Sequence, residues 1–390
     1  MNCVNNSKGD DMNKLKILAT SPMGIEAIVA KEVRNLGYEC QVDNGKITYM
    51  GDEYAIAKSN LWLRTADRVK IIVGEFKATT FEQLFDGTKN LPWEQFINVD
   101  SAFPVSGKSV KSTLHSVPDC QAIVKKAIVD RLKIKYKQIT WFQENGPIVP
   151  VEVSILKDNV TITIDTSGPG AGLHKRGYRA FQGEAPLKET LAAALILLTN
   201  WTADRPFVDL FCGSGTIPIE AALIGQNIAP GFNRDFISEK WPWINSRVWD
   251  EVRTEAEDLA DYGRPLQIFG SDIDHKMVEF SRANAMEAGL GDIITFKQMQ
   301  ATDFRTNLEY GVIVSNPPYG ERIGEKEKVE KLYRELGATL QILDTWSIYL
   351  ITSNEKFEEL YGKKATKKRK LFNGFIKTDY YQYFGPKKRE

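Results

Sequence analysis

Val208-Asp209-Leu210-Phe211-Cys212-Gly213-Ser214-Gly215-Thr216 decides how the second half of this chain folds. An apolar stretch ending in an acid reads as a buried strand. The glycines let backbone approach a ligand closely, and Ile217 to Leu223 then continues as a helix. Outward from this unit, short apolar runs at Gln267 to Asp272, Ile293 to Gln298, Gly311 to Ser315 and Trp346 to Thr352 alternate with helical stretches. Strands that apolar are buried on both faces, which predicts an α/β fold with a parallel, doubly wound sheet. Such sheets bind ligands beyond the carboxyl ends of their strands, so this half is expected to carry the chemistry.

The loop restricts the ligand. A dinucleotide loop requires a third glycine where Pro218 stands, and no Gly-Lys-Ser/Thr of a P-loop follows. S-adenosylmethionine carries a sulfonium and an ammonium in place of a pyrophosphate, so an acid such as Asp209 at the strand end suits it, with Phe211, Gly213, Ser214, Gly215 and Thr216 around its methionine end. A ligand-free strand-loop-helix turn is the plainer alternative. In Gly270-Ser271-Asp272-Ile273-Asp274, Asp272 is placed to accept both ribose hydroxyls. It follows Asp209 by 63 residues, more than a simple unit allows, so residues 226 to 266, with Trp241, Trp243 and Trp249, read as an insertion that forms an extra packing layer. Asp303, after the third strand, is expected at the adenine amino group, although a loop aspartate is commonly a solvated cap.

Ile313-Val314-Ser315-Asn316-Pro317-Pro318-Tyr319-Gly320 supplies the reactive corner. Two prolines fix the backbone so that the Asn316 side-chain oxygen and the Pro317 carbonyl can point at one NH2 group. The exocyclic amine of a base is a poor nucleophile because its lone pair is delocalised into the ring. Two acceptors that draw its hydrogens out of plane return that pair to nitrogen, and Tyr319 is expected to stack on the extruded base. Asn316, Pro317, Pro318 and Tyr319 are therefore the candidate catalytic set, with Asn316 also beside the cofactor.

The first half reads differently. Residues 1–44 read as an unstructured tail and the start of a small α+β unit, 45–165 as a further α+β region, and 166–390 as the half that carries the chemistry. Helices are expected near residues 55–63, 81–85 and 119–132, and strands at 69–76, 138–143, 149–156 and 159–165. With 51 basic and 51 acidic residues, attraction to phosphate must come from local patches. Three stand out: Lys125, Lys126, Arg131, Lys133, Lys135 and Lys137; Lys175, Arg176 and Arg179; and Lys363 to Lys370, including Lys367 and Lys368. A single charge run is more often a solvated face, but three of them favour nucleic acid. Arg322 is a further candidate for phosphate, with pairing to Glu321 or Glu325 as the alternative.

Four scattered cysteines and three histidines give no metal-ligand spacing, so no metal is expected. The longest apolar stretch, Leu191 to Leu198, is too short to span a bilayer, and the N-terminus lacks a secretory signal, which predicts a cytoplasmic protein without a membrane partner.

The order Asp-x-Phe-x-Gly-x-Gly, Gly-Ser-Asp-Ile-Asp and Asn-Pro-Pro-Tyr-Gly-Glu-Arg resembles the class I methyltransferases. More narrowly, together with Leu173-His174-Lys175-Arg176-Gly177-Tyr178-Arg179, Ala185-Pro186-Leu187-Lys188-Glu189-Thr190 and Lys367-Lys368-Arg369-Lys370-Leu371-Phe372-Asn373-Gly374, it resembles the THUMP-domain bacterial enzymes that form N2-methylguanosine in large-subunit ribosomal RNA. The resemblance runs over nearly the whole chain from Met12. It implies a Rossmann-like, S-adenosylmethionine-dependent catalytic domain preceded by ferredoxin-like and THUMP domains, with ribosomal RNA or a pre-ribosomal particle as partner. Some relatives fuse a second methyltransferase domain, and no second activity is expected here. The corner itself serves any exocyclic amine, so adenine N6 in DNA or RNA stays open. A non-catalytic RNA-binding assembly factor and a nicotinamide oxidoreductase stand further off.

Overall fold

The computed structural model describes residues 14–168, 170, 172–181, 187–320 and 326–387. Arg322 and most of the expected N-terminal tail lie outside them. The chain divides into two compact units.

The first unit comprises the described residues of Met1–Ser21, together with Ala30–Leu173 and Asp235–Thr254. In chain order its elements are β1 (Leu15–Thr20), α1 (Glu26–Asn35), β2 (Cys40–Asp43), β3 (Lys46–Gly51), α2 (Glu53–Trp62), β4 (Arg68–Lys77), α3 (Phe81–Lys89), β5 (Val105–Val110), α4 (Val117–Tyr136), β6 (Val151–Leu156) and β7 (Asn159–Asp165). The strands form one sheet in the order β2-β3-β1-β4-β7-β6-β5. Residues 44 and 45, the expected first boundary, lie in the turn of the β2–β3 hairpin. Local signals start the helices: Asp52 caps α2 by accepting from the Ala55 amide, and Thr80 caps α3 by accepting from Gln83.

Two expectations are corrected here. Residues 138–143 form no strand, and Ile139 and Trp141 stand almost fully exposed. The place beside β6 belongs to β5, parallel to it, whose Val-Ser-Gly-Lys-Ser-Val sequence suits an edge half open to water rather than a buried strand. The tryptophan-bearing insertion packs within this first unit. Trp241 donates its indole N–H to the Ile148 carbonyl at 2.9 Å, stacks on Trp243, and Trp243 meets the edge of Phe96. Large aromatic surfaces need partners, and this unit supplies them.

The second unit comprises Pro22–Val29, His174–Arg234 and Glu255–Glu390. Its elements, with the insertion's helix α7 (Ser246–Leu259) in sequence, are α5 (Glu189–Leu197), β8 (Phe207–Asp209), α6 (Thr216–Gly225), β9 (Ile268–Asp272), α8 (His275–Glu287), β10 (Ile294–Gln298), β11 (Val312–Ser315), α9 (Lys326–Leu340), β12 (Ser347–Thr352), α10 (Phe357–Tyr361), β13 (Lys367–Asn373) and β14 (Ile376–Tyr383). The sheet order is β10-β9-β8-β11-β12-β14-β13, with the first five strands parallel and β14 and β13 antiparallel.

Apolar sequence on both faces has a simple cause here. Phe207, Val312, Val314, Tyr349 and Ile351 enter a core with α5, α6 and α8, whereas Val208, Ile313, Ile348 and Leu350 enter a second core with α9 and α10. The C-terminal hairpin β13–β14 escapes the sequence pattern because of the charge run Lys367 to Lys370, where Leu371 is the first residue to be buried. Strand order reverses between β8 and β11. Their carboxyl ends therefore diverge into a crevice, the place where this architecture holds ligands.

Candidate active site

A cavity of about 480 Å³ opens at that crevice, within the size range of ordinary small-molecule sites. Asp209, Phe211, Gly213, Ser214 and Thr216 line it from the first loop, Asp272 from the second strand end, and Asn316 and Pro318 from the reactive corner. Three motifs read separately in the sequence thus meet at one cavity.

The glycine loop is held in place from below. Gly215 takes φ +87° at the start of α6, and a Cβ there would lie 2.9 Å from that of Ser281, so a side chain is excluded both by conformation and by space. Asn284 on α8, fully buried, donates to the Ser214 and Phe181 carbonyls and accepts from the Phe181 amide. Sequence reasoning missed Asn284; its only signal is a polar residue on the buried side of a helix.

Asp209 is 1% exposed, and its Oδ1 accepts the Phe211 amide at 3.0 Å. Burial is the chief cause that raises its pKa, to about 7; the nearby Asp272 charge adds to the rise, while the Phe211 amide and the Ser315 hydroxyl oppose it. Ser315, at the end of β11, also accepts the Leu210 amide at 2.9 Å. One hydroxyl therefore joins the cofactor loop to the segment that carries Asn316. Asp272 accepts from Gly213 through Oδ2 and from Asp274 through Oδ1, and burial raises its pKa as well. Asp274 in turn caps α8 by accepting from Lys276.

The reactive corner is braced. Tyr319 donates its hydroxyl hydrogen to Asn316 Oδ1 at 2.7 Å, Asn373 donates to the Tyr319 oxygen at 3.4 Å, and the buried Tyr333 donates to the Pro318 carbonyl at 2.7 Å. Tyr319 was expected as a stacking surface. Here its hydroxyl holds the amide of Asn316, which leaves the second lone pair of that oxygen for another donor.

Several expected residues stand elsewhere. Asp303 is exposed at the end of the short turn Ala301–Asp303, and Gln300 and Ala301 line the cavity in its place. Arg176 is 4% exposed and faces Glu220 at 3.3 Å, so it is a buried ion pair rather than a phosphate contact. Arg179 donates to the Thr216 hydroxyl and the Leu187 carbonyl and pairs with Glu189, which ties it to the start of α6. Carboxylates distant in sequence claimed both guanidiniums. Lys175, Lys126, Lys367 and Lys368 are exposed; Lys125 is bound to Glu144 and the Phe103 carbonyl, and Lys133 lies over Trp141. Burial drives the Cys212 thiol well above its ordinary pKa, which argues against a thiolate nucleophile. Among the described residues no cluster of three or more metal-ligating side chains occurs, and no helix is long and apolar enough to cross a membrane.

A doubly wound sheet with an acid-flanked glycine loop and an Asn-Pro-Pro corner on one cavity defines a class I methyltransferase site. Comparison with known proteins agrees: residues 176–382 match the family model described as RMKL-like, methyltransferase domain, residues 16–70 an RlmL ferredoxin-like domain, and residues 78–165 a THUMP domain. The chain is 66% identical over 374 residues to the "Putative RNA methyltransferase YpsC" of Bacillus subtilis, which spans 96% of this chain and 97% of the relative. A crystal structure titled as a predicted N6-adenine-specific DNA methylase from Listeria monocytogenes is 62% identical with a TM-score of 0.92, covering 96% of this chain and 97% of the other. SMU.472, solved with SAH, is 52% identical with a TM-score of 0.93, covering 97% and 100%. The chain belongs to the RMKL-like, THUMP-domain family of S-adenosylmethionine-dependent RNA methyltransferases.

Proposed function

We propose that this protein methylates the exocyclic amine of a base in RNA, and that the amine is N2 of guanine in large-subunit ribosomal RNA, offered as free RNA or within a pre-ribosomal particle. The observation that carries the reading is the meeting of Asp209, Asp272 and Asn316 at one cavity, with the Ser315 hydroxyl joining the first and third. The cavity's own chemistry fits S-adenosylmethionine. A buried carboxylate near neutrality answers an ammonium, and the Asp272 carboxylate, held by the backbone amides of Gly213 and Asp274, is an acceptor of the kind that ribose hydroxyls need. The THUMP match, the Bacillus relative named as an RNA methyltransferase and the SAH in SMU.472 support RNA and this cofactor.

When bound, S-adenosylmethionine supplies a methyl carbon made electrophilic by its sulfonium. The chain does the rest by position. Asp209 and the loop from Phe211 to Thr216 hold the amino-acid end, and Asp272 holds the sugar. Asn316 Oδ1 accepts one hydrogen of the target amine and the Pro317 carbonyl the other, so the nitrogen lone pair leaves conjugation and faces the methyl carbon. Tyr319 keeps the Asn316 amide from rotating. Exposed lysines of both units, with Lys125, Lys133 and Arg322, are proposed to attract the RNA backbone.

The test compares nucleosides of large-subunit RNA from a strain lacking the gene with those of its parent. Loss of N2-methylguanosine at one position supports the assignment. Loss of N6-methyladenosine from RNA, or from DNA as predicted for the Listeria relative, replaces it.

A further inference from the structure

The strands β13 and β14 are joined by Gly374 and Phe375 alone, between the paired residues Asn373 and Ile376. Gly374 takes φ +63°, which the first position of a two-residue II′ turn demands, and Phe375 fills the second with its side chain wholly in solvent, 104% exposed. A lone exposed phenylalanine is ordinary. This one stands beside the reactive corner, because Asn373, two residues before it, donates to the hydroxyl of Tyr319, which is itself bonded to Asn316. Two residues of backbone span at most about 7 Å, which keeps the tip of the hairpin that close to Asn373. Its hairpin is basic: Lys370 and Lys377 are exposed, and Lys377 lies opposite Phe372 in the register. An aromatic tip flanked by ammonium groups is the composition that grips unpaired nucleic acid.

We infer that Phe375 is a stacking wedge: it stacks on the RNA base next to the extruded target, while Lys370 and Lys377 hold the flanking phosphates. The inference rests on the reading of this site as an RNA base methyltransferase. Extruding a base forfeits its stacking, and an aromatic ring at the gap restores part of it. The ring touches nothing that holds the fold, so its removal leaves the protein intact.

The probe is large-subunit RNA extracted from a strain lacking the gene, assayed for tritium transfer from labelled S-adenosylmethionine at varied RNA concentration. Phe375→Ala is expected to raise KM for RNA at least tenfold, Phe375→Tyr to stay within about twofold of wild type, and both to bind S-adenosylhomocysteine as wild type does. Phe375→Trp adds an emitter that the same RNA is expected to quench beyond the wild-type background. Equal RNA kinetics for wild type and Phe375→Ala overturn the wedge, as does the absence of added quenching, while leaving the methyltransferase reading intact. A wild-type protein that labels no RNA overturns that reading first, and with it the wedge.

Discussion

The hydroxyl of Tyr319 donates to the side-chain oxygen of Asn316 at 2.7 Å, so the residue three positions beyond the acceptor fixes the acceptor's orientation. An amide held by that hydrogen bond turns its remaining lone pair to one side, and the proposed methyl transfer depends on that direction. Tyr319→Phe is expected to lower kcat about tenfold to a hundredfold with S-adenosylhomocysteine affinity unchanged, measured by single-turnover transfer and calorimetry. An unaltered kcat would separate Tyr319 from catalysis.

Asp209 should make the protein's behaviour pH-dependent near neutrality. Its folded pKa, raised to about 7 chiefly by burial, lies above the ordinary carboxylate value of about 4. Its stabilising contribution is therefore complete below about pH 4 and is lost as pH rises through 7. Melting of the ligand-free protein should fall between pH 5 and 8 more steeply in wild type than in Asp209→Asn. Binding of a cationic amino-acid end favours the ionised form, so S-adenosylhomocysteine affinity should rise several-fold from pH 6 to 8 in wild type and stay flat in the variant. Parallel curves would remove Asp209 from the ligand's charged end.

The pair Arg176–Glu220 predicts a stability effect. Both side chains are almost wholly buried; Arg176 donates twice to Glu220, at 3.3 and 3.4 Å, and Tyr178 adds a third bond at 3.1 Å. Arg176→Met leaves a carboxylate buried without its countercharge, a loss of about 3–5 kcal/mol in denaturant unfolding. The double variant Arg176→Met with Glu220→Leu should recover part of it. Additive losses would show that the charges do not depend on one another.

Much of the catalytic unit was legible because its signals are local. Strands buried on both faces must be apolar along their length, and Asp209, Asp272 and Asn316 each sit at the end of one. Edges and long-range partners were not legible. Val105–Val110 and Lys367–Asn373 are edge strands with one side near water, so polar and charged residues hide them. Arg176 reads as a surface cation until Glu220, 44 residues away, is seen beside it. Ser315 and Asn284 act by bonding to loops remote in sequence, and nothing in their neighbours announces that.

A glycine contact gives a further check on the loop. Gly215→Ala would place a methyl against Ser281 in a left-handed backbone, and should cost about 1–3 kcal/mol of stability along with most cofactor affinity. Thermal melts with and without S-adenosylhomocysteine read both effects, and a variant still stabilised by the ligand as wild type is would contradict the role given to this turn.

The most direct measurement is nucleoside mass spectrometry of unmodified large-subunit RNA after incubation with S-adenosylmethionine and either wild type or Asn316→Ala. The account predicts N2-methylguanosine from wild type, none from the variant, and the same S-adenosylhomocysteine affinity in both. Equal methylation by the two proteins would contradict it, because the amine would then be activated without the Asn-Pro-Pro corner.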